Sequence, residues 1–113
     1  MSYDLWQDIQ ADQRLLTRSV AELKERGIAK AHADADYRAL KARAIIEAKA
    51  DGMPATLAKE VIYAREDVQK ALLQRDITET LYESCGEGIN ALKLQIRVNE
   101  SQLAREWGNE GRL

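Results

Sequence analysis

Ala48-Lys49-Ala50-Asp51-Gly52-Met53-Pro54-Ala55 is the stretch on which the fold turns. Glycine takes the left-handed conformation that ends a helix at little steric cost, and proline, lacking an N–H, cannot continue a helix but fits the start of a new one. Together Gly52 and Pro54, the chain's one proline, predict a helix that stops near Ala50, a turn, and a short helix opening at Pro54 and running to about Tyr63 with Leu57, Val61 and Ile62. Upstream, from Tyr3 to Ala50, only Gly27 stands against helix. A glycine in a helix interior costs roughly 1 kcal/mol relative to alanine, which a long helix can carry. Downstream, Glu66 to Trp107 is a second long helical stretch, closed by Gly108 and Gly111. The expected organisation is one domain over 1–113, with a long helix over about 3–50, the turn and short helix over 51–64, and a long helix over 66–107.

Composition supports an all-α class. Of 113 residues 45% are apolar, 32% charged and only 5% aromatic, with no Phe, and alanine supplies 17 of the apolar positions. Ala, Leu, Glu, Lys, Arg and Gln are the strong helix formers, whereas strands want β-branched and aromatic residues punctuated by turns. The core is therefore thin, and a helical chain this poor in aromatic residues is expected to need a partner.

Heptad spacing predicts how the two long helices meet. Tyr82, Cys85, Ile89, Leu92, Ile96, Asn99 and Leu103 alternate steps of three and four, the a/d pattern of a coiled-coil seam. Ile9, Gln13, Leu16, Val20, Leu23 and Gly27 do the same with the opposite phase. A chain folded back about residue 56 pairs Ile9 with Leu103, Gln13 with Asn99, Leu16 with Ile96, Val20 with Leu92, Leu23 with Ile89 and Gly27 with Cys85. Gln13 and Asn99 would form a polar layer that fixes register, because a slip of one heptad would set each amide against an aliphatic side chain. The reading is a long antiparallel two-helix hairpin, coiled-coil-like, with a short helix at the turn.

Nearer the turn the same pairing gives Lys30 with Tyr82, Asp34 with Thr78 and Tyr37 with Arg75, which do not look like core layers, before Leu40 with Leu72 and Ala44 with Val68 recover one. A stutter between residues 28 and 37 is expected on that register. Leu73, Ile77 and Leu81 form a second stripe that cannot share the seam, and Leu15, Ile45, Ile46, Leu94 and Val98 lie off it too. Apolar residues on more than one helical face predict self-association, most simply a homodimer closing a helical bundle, or a larger ring.

The net charge of −2 gives no global reason to bind nucleic acid or an anionic membrane. Basic residues gather in the middle, where residues 38–65 hold six Lys and Arg against three Asp and Glu. The single cysteine, Cys85, excludes an internal disulfide. No apolar h-region or run of about 20 apolar residues is present, so a cytoplasmic protein without a membrane contact is expected.

Two motifs carry a resemblance: Glu47-Ala48-Lys49-Ala50-Asp51-Gly52-Met53-Pro54-Ala55-Thr56, and Ile89-Asn90-Ala91-Leu92-Lys93-Leu94-Gln95-Ile96-Arg97-Val98-Asn99-Glu100-Ser101-Gln102-Leu103-Ala104-Arg105-Glu106-Trp107. Over about residues 40–107 the chain resembles small uncharacterised helical proteins encoded in bacteriophage and prophage regions. That group pairs an EAK-x-(D/E)-G-x-x-A-T turn with an N-x-L-K-x-x-I-R-x-L-E-x-Q-x-x-x-E-W tail. Asn99 departs from the tail pattern, where leucine is expected. The resemblance implies a phage or prophage origin, the host cytoplasm as location, and little chemistry; some such genes neighbour DNA-recombination and replication functions.

Few residues suggest a reaction. His32 and Asp36 have the i, i+4 spacing that can hold a metal, but two ligands do not make a site, and a solvated face is the simpler reading. Cys85, in the seam beside Gly86 and Gly88, has no histidine expected nearby and reads as a small buried residue. The pairs Glu79 with Glu83 and Asp4 with Asp8 read as solvated faces. Phosphate-binding glycine loops, zinc clusters and nucleophile motifs are missing, so no enzyme, cofactor or metal site is expected. Lys41, Lys49, Lys59 and Arg65 cluster near the turn beside Tyr63, which could stack on a base or pack against the tip. Trp6 and Trp107 are expected to meet at the other end and to serve as an anchor if a phage or host protein docks there. The expected function is non-catalytic, through self-association and protein–protein contacts; the alternative is an accessory factor of phage DNA recombination or replication that contacts DNA through the basic turn.

Overall fold

The computed structural model describes residues 2–110 and is 95% helical. Helix α1 spans Ser2–Ala50, α2 spans Ala55–Val61 and continues as a 3-10 turn over Ile62–Ala64, and α3 spans Glu66–Glu110. The long helices α1 and α3 pack against each other with α2 between them, and the described residues include no strand. This is the expected antiparallel helical hairpin. The long helices end at Ala50 and begin at Glu66 as the sequence placed them, while α1 begins at Ser2, α2 at Ala55 and α3 runs through Gly108 to Glu110; Gly111 lies outside the described residues.

Hydrogen bonds at the turn explain the ends. Gly52 sits at φ 91°, its N–H donates to the Lys49 carbonyl at 3.0 Å, and the Met53 N–H donates to the Ala48 carbonyl at 3.1 Å. These are the two bonds of a Schellman cap, which satisfies carbonyls that the end of α1 would leave unpaired. Pro54, at φ −60° and ψ 145°, is the residue before α2 rather than its first helical one, and its carbonyl accepts from Ala58 N–H at 2.9 Å. Arg65 is extended and separates the 3-10 turn from α3, with its carbonyl accepting from Gln69 N–H.

The chain forms two compact units, one of the residues up to Lys24 with those from Glu83 on, the other Glu25–Tyr82. In the first, Ile9, Ile89, Ile96 and Leu103 are buried, and Leu5, Leu16, Leu23 and Leu92 are half-buried beside them. In the second, Tyr37, Ala44, Ile62 and Val68 form a buried cluster with Leu40, Ile45, Ala71 and Leu72 packed against it. Ile62 and Val68 are the largest fully buried side chains. Alanine-rich as it is, the turn half thus holds the tightest packing, because the residues after Pro54 lay Ala58 and Ile62 onto the helix pair.

The seam of α1 differs from the expected one. In the first unit it runs through Leu5, Ile9, Asp12, Leu16, Ser19 and Leu23, all buried or half-buried, while Gln13 and Val20 are exposed. In the second it runs through Arg26, Lys30, Ala33, Tyr37, Leu40 and Ala44 with steps of three and four and no stutter, and Gly27, Asp34, Lys41 and Ile45 are half-buried at its edges. On α3 every expected seam residue from Tyr82 to Leu103 is buried or half-buried. The expected seam of α1 followed the apolar residues, whereas the actual one takes in Asp12, Ser19, Arg26 and Lys30, whose long or small side chains fit a half-buried position.

Gly27 shows the effect of that shift. A Cβ on it would lie 3.1 Å from the Tyr82 ring, so Gly27 makes room for Tyr82 and not for Cys85. Gly86 faces Leu23 at an ordinary 3.9 Å, and the Cys85 thiol points at the Ser19 carbonyl at 3.7 Å. The polar layer of Gln13 and Asn99 does not form: Gln13 is exposed, and Asn99 Oδ1 accepts from Gln95 Nε2 on its own helix at 3.0 Å.

Candidate interaction surface

Near the turn, cations of both long helices rest on tyrosine rings. Arg75 lies 4.6 Å from the centre of the Tyr37 ring, and Lys41 lies 6.0 Å from Tyr37 and 5.5 Å from Tyr63. Further along, Lys30 lies 4.9 Å from the Tyr82 ring. Ring faces attract cations, and the aliphatic stems of Lys and Arg cover apolar surface at the same time. Lys30 with Tyr82 and Tyr37 with Arg75 are pairs that the expected fold-back also set opposite each other. They are layers after all, built from cation and ring in place of two aliphatic residues.

The same contacts shape the titration of the cluster. The Tyr63 hydroxyl accepts from Lys41 and from Tyr37 and is held below the ordinary tyrosine range. Tyr37 is pushed above it, chiefly by burial and then by its hydrogen bond to Tyr63. The Lys41 ammonium is raised by that hydrogen bond to Tyr63 and by the two rings. The shifts of Tyr63 and Lys41 both bind Lys41 into the cluster.

Arg65 is occupied as well. Its guanidinium reaches Asp67 at 2.8 Å and Glu47 at 2.7 Å, joining the end of α1 to the start of α3. Asp67 also accepts from its neighbour, the Val68 N–H, at 2.8 Å. These bonds raise the Arg65 guanidinium and lower the Asp67 carboxyl, first through Arg65. Of the residues singled out near the turn, Lys41 and Tyr63 are brought together, Arg65 is paired with Glu47 and Asp67, and Lys49 and Lys59 stand exposed.

The aromatic end is arranged differently from the expectation. Trp6 is 41% exposed and stacks on Tyr3, with ring centres 6.2 Å apart and planes at 20°, while Trp107 is 50% exposed. Tyr3 stands three residues before Trp6, one helical turn away, so the spacing alone puts the two rings on one face. His32 and Asp36 are both exposed, and among the described residues no three His, Cys, Asp or Glu side chains converge. A groove of about 690 Å³ in the second unit is lined by Gly27, Lys30, Asp34, Arg38, Glu79 and Tyr82, a mixture of charges without a shared focus.

The larger feature is apolar surface outside the seam. Leu73, Ile77 and Leu81 are exposed along α3, as are Leu94 and Val98 further on, and Ile28 and Ile46 are exposed on α1. Among the described residues no helix is long and apolar enough to cross a membrane. Compared with models of known protein families, with curated proteins and with solved structures, the chain gives no match.

Proposed function

We propose that this chain is a non-catalytic helical protein of the phage-related kind its turn and tail motifs resemble, acting through self-association and protein–protein contacts. The observation that carries this reading is the division of its aliphatic residues. The seam admits Asp12, Ser19, Arg26 and Lys30, while Leu73, at 61% exposure, and Ile77, Leu81, Leu94 and Val98 face outward. Burying a large aliphatic side chain fully is worth roughly 1.5–3 kcal/mol, so each half-exposed one still offers about 1 kcal/mol to a partner. A stripe at i, i+4, i+8 offers it repeatedly along one line.

The alternative, a DNA contact at the turn, has less to rest on. Lys41 is bound into the tyrosine cluster and Arg65 into ion pairs with Glu47 and Asp67, leaving Lys49 and Lys59 with acidic neighbours in Asp51 and Glu60. Light scattering across micromolar concentrations is the test. A mass of two or more times 12.8 kDa is expected, and a mass of 12.8 kDa throughout rejects self-association. Binding of a DNA duplex at low salt that Lys49→Glu plus Lys59→Glu abolishes would favour the alternative instead.

A further inference from the structure

The chain's tyrosines, Tyr3, Tyr37, Tyr63 and Tyr82, meet their surroundings in different ways. Tyr37 is 5% exposed and closed to a dissolved reagent. Tyr82 is half-buried, with Lys30 on its ring face. Tyr3 and Tyr63 are the two in the open, Tyr3 at 66% exposure and Tyr63 at 36%. Reach alone therefore ranks Tyr3 first.

The groups around the two side chains rank them the other way. Tyr3 stacks on the ring of Trp6. The Tyr63 hydroxyl accepts hydrogen bonds from the Lys41 ammonium and from Tyr37, and Arg75, 4.6 Å from the centre of the Tyr37 ring, acts on it through its charge. Two cations and a phenol donor thus bear on one oxygen. Each favours phenolate over phenol, and the phenolate is the nucleophilic form. Burial opposes them and is outweighed.

The same donors select what can be attached there. Tyr37 is buried, so its hydroxyl needs an acceptor. An alkyl group on Tyr63 would leave an ether oxygen, a poor acceptor. A phosphoryl group brings further oxygens that accept from Lys41 and Tyr37, and any anionic charge on it is balanced by Lys41 and Arg75. We propose that Tyr63 is a modification site, the nucleophile of this chain toward phosphoryl donors that carry a good leaving group. In the step the Tyr63 oxygen attacks phosphorus and an O–P bond forms. The bond from phosphorus to the leaving group breaks with its electron pair, and the phenol proton passes to water. Lys41 is a positioning residue that acts through Tyr63 by stabilising its phenolate.

The test uses the full chain and diisopropyl fluorophosphate as the probe, with fluoride as the leaving group and peptide mass spectrometry reading the rate at each tyrosine and lysine. Tyr63 is expected to be labelled ahead of Tyr3. Lys41→Gln, with helicity checked by circular dichroism, is expected to slow Tyr63 about tenfold, the weight of one charge-assisted hydrogen bond, and to leave Tyr3 unchanged. Lys41→Arg, which keeps a cation, is expected to restore most of the rate. Labelling of Tyr3 ahead of Tyr63 overturns the proposal, and so does label on the Lys41 amine in place of Tyr63. A Tyr63 rate untouched by Lys41→Gln, or one that Lys41→Arg fails to restore, overturns it as well.

Discussion

Gly27 and Gly88 are both inside long helices, but they should respond to alanine in opposite directions. Alanine in a helix interior is favoured over glycine by about 0.8–1 kcal/mol. At Gly88 a new Cβ meets nothing within 4 Å, so Gly88→Ala should realise that gain. On the average unfolding entropy per residue, about 1 kcal/mol raises the melting temperature of a chain this size by roughly 4 °C. At Gly27 the Cβ would lie 3.1 Å from Tyr82 Cε2 and 3.5 Å from Cδ2, so the ring must retreat by a few tenths of an ångström. Tyr82 is half-buried and sits under Lys30 at 4.9 Å, and overpacking of this kind costs roughly 1–3 kcal/mol, enough to cancel or exceed the helix gain. Thermal unfolding followed by circular dichroism, at one fixed protein concentration because association shifts the midpoint, should show Gly88→Ala stabilised and Gly27→Ala unchanged or destabilised. With Tyr82→Leu in place, Gly27→Ala should become stabilising. Equal gains at the two glycines in the native background would refute the placement of Tyr82 against Gly27.

Three further outcomes follow from the turn. Ile62→Ala removes a fully buried side chain and should cost about 2–5 kcal/mol in chemical denaturation, and a loss under 1 kcal/mol would mean that the 3-10 turn is not packed on Tyr37 and Val68. On raising pH, Tyr63, lowered by Lys41, should ionise before Tyr37, and Tyr63→Phe should remove the earlier step from the tyrosine absorbance titration; an earlier step that persists would refute the contact. Tyr37, raised by burial, contributes stability that is full below the ordinary tyrosine value and lost as pH climbs through its raised one. Arg65→Gln should bring the Asp67 carboxyl, measured by NMR titration, back up toward the ordinary range, and an unmoved Asp67 would show that Arg65 is not what lowers it. Because Asp67 is lowered, its contribution is present above the ordinary carboxylate value and fades as pH falls through the lowered one.

Helix ends were legible because they are local. Gly52 and Pro54 restrict the backbone whatever surrounds them, and Ala50 and Glu66 end and begin the long helices as expected. The α3 seam was legible because its positions from Ile89 to Leu103 are mostly Ile and Leu. The α1 seam was legible at Leu40 and Ala44 near the turn, and in the first unit only at Ile9, Leu16 and Leu23, the positions that both phases share. Between them Gln13 and Val20 competed with Asp12 and Ser19, and apolar character favoured the wrong partner for Ser19. In the structure Ser19 is half-buried, its carbonyl 3.7 Å from the Cys85 thiol. The tyrosine cluster was half legible. Lys41, Tyr63, Tyr37 and Arg75 were each placed near the turn or opposite one another, but a cation on a ring counts as a layer only once the ring is seen to be buried, as Tyr37 is.

The seam and the outer face of α1 are alike in one respect between Ile28 and Ile46. In the segment from Ile28 to Ile46 the seam positions are Lys30, Ala33, Tyr37, Leu40 and Ala44, while the outward positions are Ile28, His32, Ala35, Ala39, Ala42 and Ile46. Ranked by apolar character alone, the two faces are nearly equal, so hydrophobicity cannot tell α1 which side to turn toward α3. The choice falls to shape and to pairing: Tyr37 has Arg75 and Ile62 to pack with, and Lys30 has Tyr82. Substituting the inward side, for instance Tyr37→Ala, should therefore do more than create a cavity. It should remove what distinguishes the two faces and let register drift, whereas Ala39→Glu, on the exposed face, should leave helicity and register unchanged.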